Sequence, residues 1–305
     1  MEIVKLIPAY KSIIWGGKKL KSEYGKITEL SPLAETWELS FHKDGKTTLE
    51  SGEALCDVVS EDELGENCKG FDFFPVLVKF IDAQDKLSVQ VHPSDSYALE
   101  NEGQFGKTEM WYVVEADEGA GLYMGLEREC DPEEFARAVA DGSVEKLLSF
   151  KKVKRGDVYF IPSGTIHAIG AGTVIFEIQQ NSTLTYRLYD YMRRDKDGNL
   201  RELHVDKAMK VSLLEPYKEA EFDANDESLI GKCEYFETRK YQLNFTKISF
   251  NVENDSFLSI TCVGGNGTIE GEKMSLGDTF FVPAGSGEIT VEGNAEIIAV
   301  KLPNV

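Results

Sequence analysis

Histidine is scarce in this chain: 305 residues hold only His42, His92, His167 and His204. Any imidazole chemistry must come from these four. Cysteine is also little used. Its five copies (Cys56, Cys68, Cys130, Cys233, Cys262) are odd in number, scattered, and never spaced as C-x-x-C. That excludes a thiolate zinc site and a disulfide framework and leaves reduced thiols. No apolar run approaches the roughly 18 residues of a membrane-spanning helix. The N-terminal segment meets Pro8 without a small-residue cleavage site of the secretory kind. A cytoplasmic protein is expected. Basic residues are in deficit, 33 Lys and Arg against 53 Asp and Glu, for a formal charge of −20. Such a surface repels nucleic acid and acidic membranes. A small anionic ligand is compatible with it only where cations are gathered locally. No P-loop or Gly-rich dinucleotide fingerprint is present to hold phosphate on a helix N-terminus.

What is present is mostly strand. The chain is 42% hydrophobic and 10% aromatic, and its length favours two domains. FFPVLVKFIDA (73–83), KLSVQVH (86–92), EMWYVVEA (109–116), DVYFIP (157–162) and TVIFEIQ (173–179) are rich in β-branched and aromatic residues and bounded by Gly, Pro and Asp. Two stretches read as helix. Asp131-Pro132-Glu133-Glu134 supplies an N-cap, a proline at the first helical position and first-turn acids, so a short helical insertion is expected near 131–150. A second helix is expected over about 204–214. One internal repeat stands out: residues 156–164 and 277–285 both read G-D-x-[YF]-F-[IV]-P-[AS]-G. It predicts a mainly β protein of two β-barrel modules, residues 1–218 and 219–305, joined by the acidic stretch 219–227. His167 lies three residues after Gly164, where the second copy has Glu288, and no histidine follows residue 204. The second module is therefore expected to be structural.

Within Gln90-Val91-His92-Pro93, Gln90 and His92 share one face of an extended strand. Glu109 opens a strand that can lie beside the first, and His167 follows a P-x-G-x-x-H turn into the strand bearing Glu177. Two imidazoles and a carboxylate are the ligand set of zinc or a neighbouring first-row divalent ion. His42 reads as a turn residue and His204 as a helix start.

The spacing of Gly156, Pro162, Gly164 and His167 is similar to the second signature of the cupins, although that pattern places Asn where this chain has Ala171. The first cupin signature is altered too, Gln90-x-His92 standing for His-x-His. Further segments narrow the resemblance: Ile14-Trp15-Gly16-Gly17, Glu35-Thr36-Trp37-Glu38-Leu39-Ser40, FPVLVKFIDAQDKLSVQVHPSD (74–95), GKTEMWYVV (106–114), IPSGTIHAIG (161–170) and FEIQQNSTLTYRLYDY (176–191). Over nearly its whole length the chain resembles the short bacterial form of the type I mannose-6-phosphate isomerases. That resemblance implies two cupin-type jelly-roll modules and one zinc ion per chain on Gln90, His92, Glu109 and His167. It also implies active-site roles for Arg187 and Lys107, and a sugar phosphate as partner.

An aldose–ketose isomerisation moves a proton between C1 and C2 and stabilises an enediolate, tasks for a divalent metal and an acid–base pair. Glu177 is a candidate base, with an outward or metal-supporting carboxylate as the alternative. Lys107 is a candidate proton carrier or a cation for the sugar phosphate. Arg187 can bind sugar oxygens, the enediolate or phosphate bidentately, or form an ion pair with Asp190. Lys11, and Lys18 beside the Trp15-Gly16-Gly17 turn, are further phosphate candidates. Trp15 can line a sugar pocket or anchor the core. The leading expectation is interconversion of mannose 6-phosphate and fructose 6-phosphate. A non-catalytic metal-containing sugar-binding cupin and a metal-dependent oxygenase on the same fold are the competing readings. The oligomeric state is not legible.

Overall fold

A computed structural model describes residues 1–194, 197–222 and 226–304. Its first twelve strands are β1 (Val4–Lys5), β2 (Ala9–Lys11), β3 (Glu35–Leu39), β4 (Val76–Ala83), β5 (Val89–Val91), β6 (Glu109–Ala116), β7 (Gly121–Leu126), β8 (Leu148–Lys152), β9 (Val158–Ile161), β10 (His167–Ile169), β11 (Thr173–Gln180) and β12 (Tyr186–Tyr189). Six more follow: β13 (Leu229–Lys232), β14 (Glu237–Val252), β15 (Leu258–Ile269), β16 (Glu272–Ser275), β17 (Thr279–Val282) and β18 (Gly287–Lys301). They form three antiparallel sheets. One runs β2-β3-β4-β11-β6-β9 and a second β12-β5-β10-β7-β8. The third runs β1-β17-β15-β18-β14-β13 with β16 on β15.

Period-two alternation distributes the side chains. Along β4, β6 and β11 the even-numbered Val78, Phe80, Met110, Tyr112, Phe176 and Ile178 face the C-terminal sheet and meet Phe257, Val263 and Val300 in one core. The odd-numbered Ile81, Trp111, Val113 and Ile175 face the other way and pack on Leu122, Met124 and Ile169 of the five-stranded sheet. The outer face of that sheet, with Val89, Val91, Ala168 and Leu188, is covered by Phe135 and Val139 of the helix Pro132–Asp141 and by Ala208 of the helix Val205–Val211. The layers therefore run helices, five-stranded sheet, six-stranded sheet, C-terminal sheet. The fold class expected from sequence holds, with one correction. The expected barrels are open sheets packed face to face, a cupin-like sandwich, because among the described residues no hydrogen-bonded ladder joins the edges of the six- and five-stranded sheets.

The helix at 131 begins as predicted, Asp131 accepting from the backbone N–H groups of Glu133 and Glu134. It ends at Asp141 rather than near 150. Gly142, at φ 77°, stops it, and residues Val144–Leu147 make one tighter turn before β8. The second helix, Val205–Val211, is as expected. The helix Asp95–Glu102 has no counterpart in the sequence reading, since it buries only Ala98 and shows no apolar stripe. The expected connection over 219–227 lies partly outside the described residues. No helix among the described residues is long and apolar enough to cross a membrane.

The nine-residue repeat is a structural repeat. Gly156 and Gly277 both take positive φ (92° and 91°), and both donate their N–H across to the preceding long strand, to Val113 and Cys262 respectively. Asp157 accepts from the Lys154 amide and Asp278 from the Ser275 amide, each at 2.9 Å. A strand follows in each copy, β9 or β17, and then a second positive-φ glycine, Gly164 or Gly285.

Candidate metal centre and active-site cavity

The alternation that fills the space between the two sheets also places charged residues in it. Lys79 on β4, Glu109 on β6 and Glu177 on β11 are odd-numbered and point inward with Ile81, Trp111 and Ile175. From the opposite sheet come Gln90, His167 and Arg187, which are register partners, Gln90 lying between the other two. His92 follows just past the end of β5. Glu109 therefore does not sit beside the Gln90–His92 segment as expected. It faces that segment across the sandwich, because β5 and β6 belong to different sheets.

The donor atoms of His92, Glu109 and His167 all lie within 4.8 Å of one another, and all three residues are buried. His167 Nε2 is 3.3 Å from Glu109 Oε1, and His92 Nε2 is 3.6 Å from Glu109 Oε2. Each ring has its other nitrogen engaged: His92 Nδ1 with the Leu184 carbonyl at 2.7 Å, His167 Nδ1 with the Thr165 carbonyl at 2.9 Å. A carbonyl can only accept, so each Nδ1 carries the proton and each Nε2 lone pair is directed at the common gap. Glu109 Oε1 is buried there without a hydrogen-bond partner. Two imidazole lone pairs and an orphaned carboxylate oxygen around one gap are satisfied together by a divalent cation. The residues thus fit a zinc-type ion. Gln90 Nε2 stands 3.4 Å from His167 Nε2. A half-turn of the amide puts its oxygen there instead.

Lys107, 5% exposed, reaches this group from residues preceding β6. Its Nζ contacts Glu109 Oε2, lies 3.2 Å from His92 Nε2 and donates to Glu177 Oε1 at 3.2 Å. Glu177 is held from both sides, since Lys79 Nζ lies 2.9 Å from its Oε2 and the Trp111 indole N–H donates to Oε1 at 3.3 Å. Lys79 also faces Glu35 at 3.5 Å, and Glu35 accepts from the Trp37 indole. Burial and the charge of Lys107 push both imidazoles below the usual histidine range, His167 to about 4 and His92 well below. Burial raises the Glu109 carboxyl well above the usual range against the pull of Lys107. Burial also opposes ionisation of Glu177, but Lys107 and Lys79 outweigh it and hold the carboxylate well below the ordinary value.

A cavity of about 110 Å³ adjoins this centre, separated from it by Gln90, Lys107 and Glu177, which line it together with Trp15, Glu35, Lys79 and Arg187 among others. Arg187 has its Nε buried without a hydrogen-bond partner, and no carboxylate lies within ion-pair distance of it among the described residues. Asp190, the alternative partner expected from sequence, is taken by Arg193 and by Arg201, the latter at 3.3 Å. Arg201 lines the same cavity as Arg187. Trp15 is 3% exposed, so it serves as both cavity wall and core residue. Lys11 is one step removed. It lines an adjoining groove with Tyr10, Trp37, Lys79 and Lys107, its Nζ 4.4 Å over the Trp37 ring. Lys18 is exposed at the start of the helix Lys19–Ser22 and lines neither space. His42 and His204 stand apart from the centre.

Sequence reasoning missed Lys79, Glu35 and Arg201. Lys79 left a signal as a lone lysine inside the apolar run VLVKFI. Arg201 left none, because it comes from an irregular segment that only the tertiary fold carries back to the cavity.

Comparison with known proteins agrees with this geometry. Residues 3–117 match the family description "Phosphomannose isomerase type I, catalytic domain", and residues 226–302 match "Mannose-6-phosphate isomerase, cupin domain". The chain is 36% identical to the mannose-6-phosphate isomerase ManA of Bacillus subtilis (strain 168), over 97% of each protein. A crystal structure of the mannose 6-phosphate isomerase from Bacillus subtilis superposes with a TM-score of 0.87 at 32% identity, covering 98% of this chain and 99% of that one. A solved mannose 6-phosphate isomerase bound with zinc and yttrium shares the fold at a TM-score of 0.78 and 17% identity, over 100% of both chains. Matching family segments at both ends, with 36% identity across the length, place this chain in the type I phosphomannose isomerase family.

Proposed function

We propose that this protein interconverts mannose 6-phosphate and fructose 6-phosphate, with one divalent ion, zinc by preference, held by His92, Glu109 and His167 and completed by Gln90. The observation that carries this reading is the gap around the orphaned Glu109 Oε1. It adjoins, through Lys107, the cavity that Lys107 lines with Glu177 and with an Arg187 that has no ion-pair partner among the described residues. Bound by these residues, such an ion would supply a Lewis acid for the sugar carbonyl and would offset negative charge developing there.

The protein's own groups divide the remaining work. Glu177, ionised between two ammonium groups, is too weak a base to act alone. We assign it the positioning of Lys107 and Lys79, and we assign proton transfer to Lys107, whose Nζ reaches both Glu177 and the ligand set. Arg187 receives the phosphate or distal hydroxyls, offering a fork of donors unspent on any carboxylate among the described residues, and Arg201, paired with Asp190 at 3.3 Å, adds a second cation to the same cavity wall. Lys11 guides the sugar phosphate from the adjoining groove, and Trp15 bounds the sugar's carbon skeleton. We assign catalysis to residues 1–218 and a supporting role to 219–305. A cytoplasmic location belongs to the same proposal, supported by five cysteines that are all free.

The test is conversion of mannose 6-phosphate to fructose 6-phosphate by purified protein, before and after chelation and with zinc restored. Turnover lost on chelation and regained with zinc is the expected result. A folded, zinc-loaded protein that binds sugar phosphate without converting it would establish the non-catalytic alternative instead.

A further inference from the structure

Lys107 does not sit in a strand ladder. It lies in the irregular segment 105–108 between the helix Asp95–Glu102 and β6, so nothing in the sheet itself fixes where its ammonium points. Three successive backbone N–H groups there are nevertheless all held. Gly106 donates to Asp95 Oδ1 at 2.6 Å, Lys107 to the Pro93 carbonyl at 3.0 Å, and Thr108 to Gln180 Oε1 at 2.7 Å. Gln180, 2% exposed, returns to the same carboxylate, its Nε2 donating to Asp95 Oδ1 at 2.8 Å. The approach is close as well as bonded, since a Cβ on Gly106 would stand 2.5 Å from the Pro93 carbonyl oxygen and 2.6 Å from the Asp95 amide.

The second oxygen of that carboxylate is claimed from outside the sandwich. Tyr235, on the turn between β13 and β14 of the C-terminal sheet, donates its hydroxyl to Asp95 Oδ2. Its ring is packed between Phe71 and Phe105 at centroid distances of 5.9 and 6.0 Å, next to the clamped segment. Asp95 is partly buried and Gln180 and Tyr235 are buried, and a shielded network whose members are all satisfied acts as a rigid unit, so that loss of one member loosens the rest.

We propose that Asp95, Gln180 and Tyr235 are positioning residues for Lys107, and that Tyr235 is the contact through which the C-terminal sheet sets catalytic efficiency. The inference rests on the role assigned to Lys107 above. None of the three lines the cavity or belongs to the ligand set, so their effect passes through the backbone they hold at residues 106–108. Misplacement of a reacting group by about 1 Å costs up to roughly 100-fold in rate, which sets the scale of the effect.

The experiment compares steady-state kinetics and zinc content of Tyr235→Phe, Asp95→Ala and Asp95→Asn in the wild-type and Lys107→Ala backgrounds. Tyr235→Phe keeps the ring and its packing and removes only the hydroxyl, so it folds. It is expected to lower kcat about tenfold, with KM for mannose 6-phosphate and zinc stoichiometry unchanged. Asp95→Ala is expected to be the more severe, and Asp95→Asn, which keeps an acceptor for Gly106 and Gln180, to recover most of that loss. In the Lys107→Ala background the residual rate should be insensitive to Tyr235→Phe, because the group being positioned is gone. Two results overturn the proposal while leaving the Lys107 assignment intact: an unchanged kcat in Tyr235→Phe, or an equal loss in both backgrounds. Full turnover by Lys107→Ala alone would instead overturn the assignment on which the proposal rests.

Discussion

Glu109 shows how little of a residue's role lies in its own identity. As the first residue of EMWYVVEA it is one acid among 53 Asp and Glu, yet it ends fully buried, one oxygen against Lys107 and the other without a partner beside His167. Glu109→Gln is expected to lower zinc affinity by tenfold or more while the fold persists, as read by zinc titration with circular dichroism on the same samples. Arg187→Ala should leave zinc content intact and reduce kcat/KM for mannose 6-phosphate by about 10- to 100-fold, the scale of losing a charge-assisted anchor. Loss of metal in that variant would instead make the arginine a structural residue.

The two histidines give a pH prediction for the metal-free protein. In the folded state His167 is held near 4 and His92 well below 6.5, whereas in the unfolded chain both titrate near 6.5. Between those values the unfolded chain's imidazoles bind protons that the folded chain's do not, so their contribution to stability is complete above about pH 6.5 and is lost as pH drops toward 4. The gap at His167 alone corresponds to about 3 kcal/mol. The raised Glu109 carboxyl contributes the opposite slope over part of this range, because it binds a proton in the folded state first. The imidazole contribution is therefore read by difference: chelator-treated His167→Gln should lose less stability between pH 7 and pH 5 than the chelator-treated parent. The same pH-dependent change in both proteins would contradict a buried, neutral His167.

At the scale of elements, much was legible because strand patterning is local. The segment 109–116 is a strand with the predicted limits, and odd–even alternation along it separates Glu109 and Trp111 from Met110 and Tyr112. Capping at Asp131 was equally local, and Asp131→Ala should cost about 1 kcal/mol in a denaturant titration. What failed was anything without periodicity. The helix Asp95–Glu102 bunches Tyr97, Ala98 and Leu99 in one consecutive run with no helical period, and β5 is only three residues long. The repeat was visible as letters, but its two glycines differ in surroundings. A Cβ on Gly277 would stand 2.4 Å from the Tyr24 carbonyl, whereas one on Gly156 meets its nearest atom, the Tyr112 hydroxyl, at 4.0 Å. Both take positive φ, so both alanine variants are strained, but Gly277→Ala should lose more than ~1 kcal/mol beyond Gly156→Ala. Equal melting temperatures for the pair would remove the distinction.

The whole molecule is tied across its layers by contacts that no local pattern announces. β1, the first strand of the chain, pairs with β17 of the C-terminal sheet. Lys26, 8% exposed, donates to Glu38 Oε2 at 2.8 Å and to the Gly277 carbonyl at 2.6 Å, and Glu38 also accepts from Thr36 and Thr279. Breaking one side of a buried, hydrogen-bonded pair leaves a charge unpaired, so Lys26→Met is expected to cost about 3–5 kcal/mol. Turnover per folded molecule should persist, because neither residue lines the cavity.

The sequence by itself determined the β class, the nine-residue repeat and the identity of the ligand candidates. Those depend on side-chain chemistry, on turn residues and on a period of two, all written over a few neighbouring positions. Only the tertiary structure decided that Glu109 meets His92 and His167 across two sheets, that Asp190 is taken by other arginines, and that Lys79 and Arg201 share the cavity. Those facts are set by how sheets stack and where irregular segments return, which depends on burial summed over the entire chain and not on any stretch of it.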